Sequence, residues 1–151
     1  MLMLKTKIRS IILLSLILIM VLAPAVHAAE LTLGIKRGAG LGTGGVEAEL
    51  GVKGRMAFFI GAGFHHQLLS LNSGLRLYIN PSREGIFVSS FLGRVTDFSG
   101  SPAGGYALGG TVGYSWEFAP PWRIMFEGGA LLGLDGSRIP TVGFGVGYQI
   151  F

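Results

Sequence analysis

The chain contains no cysteine. That excludes a disulfide framework, so sheet hydrogen bonding and side-chain packing must hold the molecule together. Charge is scarce as well. Charged residues make up 13% of the sequence, against roughly 25% in ordinary soluble domains. No basic run interleaved with aromatics exists, which excludes the electrostatic footprint of a nucleic-acid binder. Beyond the first two dozen residues no apolar run is long enough for a helix to cross a bilayer, although mean hydropathy is high. Cysteine-based metal motifs and nucleophile elbows are missing too, so neither a cofactor nor a metal is expected.

What is present begins with a leader. Lys5, Lys7 and Arg9 precede an apolar run from Ile11 to Ala23, and Pro24-Ala25-Val26-His27-Ala28-Ala29 follows. A charged start, an apolar middle and small residues at −3 and −1 describe a secretory signal peptide. The cut is predicted between Ala28 and Ala29, giving a leader over 1–28 and a single domain over 29–151. The run is shorter than the ~20 residues of a membrane-spanning helix. Removing the leader takes away three of 12 basic residues and none of the eight acids, so the net charge falls from +4 to +1. The mature part carries all 26 glycines.

Beyond the leader the pattern has a period of two. In the cleanest stretch Tyr106, Leu108, Val112, Tyr114, Trp116 and Phe118 alternate with Ala107, Gly109, Thr111, Gly113, Ser115 and Glu117. Such alternation marks β-strands with two unlike faces. Eight strands are predicted, near 31–37, 44–53, 55–66, 68–79, 85–96, 105–118, 122–134 and 140–151, separated by Gly, Pro, Asn, Asp and Ser turn chemistry. Pro120-Pro121 fixes one boundary, since proline cannot sit inside a ladder. One face is bulky and aromatic; the other is mostly glycine and small polar residues. A soluble half-buried strand has the reverse economy, with Lys, Glu and Thr on its wet face. The expected fold is therefore all-β: a single eight-stranded antiparallel up-and-down transmembrane β-barrel, bulky face toward lipid and small face toward the lumen.

The stretch Gly74-Leu75-Arg76-Leu77-Tyr78-Ile79-Asn80-Pro81-Ser82, followed by Gly85-Ile86-Phe87-Val88, and the ending Gly143-Phe144-Gly145-Val146-Gly147-Tyr148-Gln149-Ile150-Phe151 carry a resemblance. The mature chain resembles the small eight-stranded outer-membrane β-barrel proteins of diderm bacteria. The resemblance implies outer-membrane localisation, membrane lipid as the surroundings and insertion by the barrel-assembly machinery. The chain departs from the family at Gln149, where an aromatic often stands. A monomer is expected.

Face assignment puts Glu47, Glu49, Lys53, Arg55, Arg76, Arg94, Glu117, Arg123 and Glu127 in the lumen. Opposite charges in a narrow interior should pair, so these nine are expected to form a structural plug; the competing reading is an ion path. The fifth strand is apolar on both faces. Placing Arg94 inside, away from lipid, sends Phe87, Phe91 and Val95 outward. With both termini on one side, Phe87, Trp116, Phe118, Trp122 and Tyr148 gather at one rim as membrane-interface aromatics.

Three weaker constellations remain. His65-His66 with Asp97 and Asp135 lacks the convergent set a metal needs. His65 or His66 with Ser70 or Ser73 would be a lipid hydrolase or acyltransferase in name only. Gly38, Gly40 and Thr43 imitate a dinucleotide fingerprint without the βαβ context, and a flexible hairpin loop is expected there. The functional expectation is a non-enzymatic outer-membrane protein with an envelope role. The alternatives are a soluble, exported, lipocalin-like barrel for an apolar ligand and a lipid-modifying enzyme.

Overall fold

The computed structural model describes residues 30–52, 54–65, 68–97, 105–134 and 136–150. They form eight strands: β1 (Glu30–Gly38), β2 (Gly44–Val52), β3 (Met56–His65), β4 (Leu68–Tyr78), β5 (Gly85–Asp97), β6 (Tyr106–Ala119), β7 (Trp122–Gly133) and β8 (Arg138–Gln149). Each pairs antiparallel with its sequence neighbour, and β8 returns to β1, closing the barrel. Closure pairs the backbone of every strand on both sides, which removes the exposed edge that an open sheet would offer to other chains. The leader predicted over 1–28 lies outside the described residues.

Register fixes the shape. Following paired residues once round the sheet from Trp122 leads through Tyr148, Leu33, Ala48, Ile60, Ser73, Leu92 and Leu108 to Leu132. The path returns to β7 ten residues from its start, so the barrel has eight strands and a shear of ten. With strands ~4.8 Å apart and ~3.3 Å rise per residue, that shear tilts them by roughly 40° from the axis. The interior of such a barrel is just wide enough for side chains.

The distribution of side chains is inverted relative to a water-soluble core. Leu33, Ile35, Val46, Ile60, Leu75, Leu108, Val112 and Phe126 project outward and are exposed. Thr32, Lys36, Glu47, Glu49, Ser70, Asn72, Arg76, Thr111, Arg123 and Glu127 project inward and are buried. Period-two alternation is what delivers this segregation, since one register step would exchange the two sets.

β5 is the exception to a simple polar-in rule, and it corrects the sequence-based expectation. Ile86, Val88 and Leu92 face outward and Phe87 and Phe91 are buried inside. Arg94 shares the outward face and is exposed, its guanidinium 5.4 Å from the Tyr106 ring centre. At the loop end of the strand the long Arg94 side chain can reach the polar rim, so outward placement does not strand its charge. The rings are accommodated by glycines on the next strand. Phe91 pairs with Gly109 and Phe87 with Gly113. A Cβ at Gly109 would lie 2.2 Å from the Phe91 ring, and one at Gly113 would lie 2.3 Å from the Phe87 ring. The two aromatics thus occupy space that any larger partner would fill.

Both mouths are filled by chain. At the loop end, residues 38–43 turn inward; the Leu41 amide donates to the Gly38 carbonyl at 2.9 Å, and the Thr43 amide to the Phe64 carbonyl at 2.8 Å. Ala39 and Leu41 are buried as a result. The segment is an inward-folded plug and not a loop standing out from the rim. Gly38, Gly40 and Gly42 adopt positive φ and allow the tight inward fold. At the turn end, Arg83 has φ 59° and a buried side chain that is ion-paired with Glu30.

Candidate functional site

The lumen holds the densest polar constellation among the described residues. Six ionic side chains lie in it, none more than 3% exposed: Lys36, Arg76 and Arg123 against Glu47, Glu49 and Glu127. Three bases and three acids make the set neutral.

They form a single file of alternating sign. Glu127 pairs with Lys36, whose ammonium lies 2.9 Å from Glu47. Glu47 accepts from Arg76 at 3.1 Å, and Arg76 also pairs with Glu49. Glu49 lies 3.9 Å from Arg123, which is 3.9 Å from Glu117 at the partly open turn end. The file crosses between β7, β1, β2, β4 and β6, so it staples strands that are not neighbours in the sheet. Each ion has lost water, and the energy of that loss is offset by pairing and, for all but Arg123, by a direct hydrogen bond; Arg123 keeps only the two 3.9 Å ion contacts.

Neutral groups complete the shell. The Tyr78 hydroxyl donates to Glu49 at 2.9 Å. Thr111 donates to Glu127 at 2.6 Å, and its oxygen is 3.0 Å from that of Ser89. Arg76 is sandwiched by rings, its guanidinium carbon 4.7 Å from the Phe59 centre and 4.8 Å from the Phe87 centre. Phe87, Tyr78 and Ala57 pack together below it. Between Lys36, Glu47, Glu49 and Met125 the remaining void measures about 10 Å³, the room of about one water.

Of the nine residues expected in the lumen, the structure brings together Glu47, Glu49, Arg76, Arg123 and Glu127, with Glu117 at the rim. Arg94 is outside, as described. Arg55 is a correction too: it is exposed in the β2–β3 turn, where its carbonyl accepts the Tyr78 amide. β3 begins at Met56, one residue later than expected, so Arg55 stays in the turn with its side chain out of the barrel. Lys53 lies outside the described residues. Of the five rim aromatics, Trp116, Phe118, Trp122 and Tyr148 face outward at the turn end, with Trp122 and Tyr148 ring centres 5.0 Å apart. Phe87 is corrected to the lumen, where the glycines of β6 make space for it.

Sequence reasoning missed Lys36, Arg83 and Leu41. Lys36 was legible, because Leu33 and Ile35 on β1 alternate with Thr32, Gly34 and Lys36. Arg83 and Leu41 carry no periodic signal, since both stand in turns.

Among the described residues no group of three or more His, Asp or Glu converges as a metal site would require. His66 and Asp135 lie outside the described residues, and the side chains of His65 and Asp97 are likewise not described. No protein-family model matches the chain, and no curated protein or solved structure matches it significantly.

Proposed function

We propose that this chain is an integral outer-membrane β-barrel protein, exported by its leader, without enzymatic activity and with a structural role in the envelope. The observation that carries the proposal is the inversion of polarity around a closed sheet. Large apolar side chains cover the outside, and a neutral file of ion pairs fills the inside. A bilayer rewards that arrangement, because lipid meets apolar groups while every strand's backbone is paired by closure. Water would meet a nearly continuous apolar surface, far beyond the few hundred Å² that soluble monomers expose. The outward group Trp116, Phe118, Trp122 and Tyr148 at the turn end fits an interfacial girdle. Strands of 9 to 14 residues, tilted as the shear requires, span the ~25 Å apolar band of such barrels.

The filled lumen supports a wall element over a pore: ion pairs, Phe59, Phe87 and Phe91 occupy the axis, and Leu41 and Arg83 close the mouths. It also counts against a lipocalin-like carrier, which needs an apolar cavity inside.

The test is expression of the precursor in a diderm host, membrane fractionation, and gel electrophoresis with and without boiling. Outer-membrane recovery with a band that shifts on boiling is expected. A soluble periplasmic protein without a shift would overturn the proposal and make an apolar-ligand carrier the working alternative.

A further inference from the structure

We infer that the outer face of β1–β3 holds one molecule of an anionic phosphate-bearing lipid, its acyl chain in a groove and its phosphate on Arg37. The inference rests on the outer-membrane reading above and specifies which lipid contact that barrel makes.

The groove follows from small residues. On the outward face Ala48 and Ala62 leave a floor between the taller Leu33, Ile35, Ile60 and Leu71. The depression is about 720 Å³. It continues through Ile35, Val46, Ala62 and Val146 into a second hollow of about 520 Å³, walled by Phe64 and Phe144. Trp122 stands at its turn end; between there and the loop end the side chains facing it are hydrocarbon. At that end stands Arg37, exposed on the same outward face as Leu33 and Ile35. Arg37 has no ion pair among the described residues, unlike its inward neighbour Lys36.

Charge complementarity identifies the occupant. A long apolar channel that ends in a guanidinium with no ion pair among the described residues fits an amphiphile with a hydrocarbon tail and an anionic head. Phosphate suits the head, because a guanidinium offers it two parallel donors. The stem of Arg37 can lie along the apolar wall while its head stays at the polar level. A peptide segment would bring backbone amides into a channel with no side chain between Trp122 and Arg37 to receive them.

The test uses the full mature barrel, folded in non-ionic detergent and doped with dioleoyl phosphatidylglycerol, with retained lipid read by native mass spectrometry. Wild type is expected to hold one lipid per barrel. Arg37→Gln, which loses the charged hydrogen bonds, and Ala62→Phe, which fills the channel, should each lower retention roughly tenfold. Inorganic phosphate should not displace the lipid. Folding of each variant is checked by the gel shift on boiling, and Ala48→Leu replaces Ala62→Phe if that variant does not fold. Equal retention by the variants, or equal retention of zwitterionic dioleoyl phosphatidylcholine, would reduce the contact to unspecific annular lipid and overturn the inference. A folded, detergent-dependent barrel that retains no lipid overturns this site alone. A protein that is monomeric without detergent and shows no gel shift overturns the membrane reading with it.

Discussion

Removing the Arg76 guanidinium is the sharpest probe of the lumen. Its side chain has no solvent exposure, pairs with Glu47 and Glu49, and is stacked between Phe59 and Phe87. In Arg76→Met the volume is largely kept and the charge is lost. Glu47 retains Lys36 at 2.9 Å. Glu49 retains only the Tyr78 hydroxyl and Arg123 at 3.9 Å, so it becomes the uncompensated charge. Breaking a buried pair from one side costs about 3–5 kcal/mol, and the lost ring contacts add roughly 1 kcal/mol. Neutralising the orphan as well, in Arg76→Met with Glu49→Gln, should recover ~2 kcal/mol, the upper range of coupling for groups in one network. The assay is equilibrium urea unfolding of the folded barrel in detergent, followed by tryptophan fluorescence and by the gel shift. An unchanged denaturant slope would show that the folded and unfolded ensembles are comparable. A loss below ~1 kcal/mol for the single variant, or a double variant no more stable than the single one, would refute the reasoning.

Gly113→Ala should destabilise by about 1–3 kcal/mol through overpacking against Phe87. Gly110→Ala, where a Cβ would meet nothing closer than 3.9 Å, should be near neutral in the same unfolding assay. Val112→Arg places a charge on the outward face in mid-strand; in lipid vesicles it should cost about 2–4 kcal/mol, and a negligible cost would argue against lipid contact. In planar bilayers the wild-type barrel should carry no sustained ionic current, because Leu41, the ion-pair file and Arg83 occupy its axis in series. A stable open conductance would refute the plug.

Strand positions were legible because alternation is a local property. Val46 through Lys53, Leu69 through Ile79 and Trp122 through Leu134 declare two faces by themselves, and the register then follows from the turns. Glu47, Glu49, Arg76, Arg123 and Glu127 were placed inside by that rule. It fails where both faces are apolar. On β5 nothing within the strand says which aromatics turn inward; the information lies on β6, in Gly109 and Gly113, and becomes readable only once those strands are paired. Arg94 was assigned by the cost of charge at mid-bilayer, yet it stands near a strand end, where that cost falls away. Leu41 and Arg83 were illegible for another reason: their burial depends on loops folding back over the mouths, and turn chemistry specifies a reversal without specifying its direction. The shear of ten likewise belongs to the ring as a whole.

The alternating file of charges has a consequence for how the ring can close. Lys36 of β1 needs Glu127 of β7, and Glu49 of β2 needs Arg123 of β7, so two of its links connect opposite ends of the chain. A half-built sheet, open between β8 and β1, leaves those charges wet and unmatched. Closure with a strand missing, or with the seam slipped by two residues, would seat an acid beside an acid or strand a guanidinium in a dry interior. The ions that do little for net stability therefore act as a tally of strands, readable only when all eight are present and aligned.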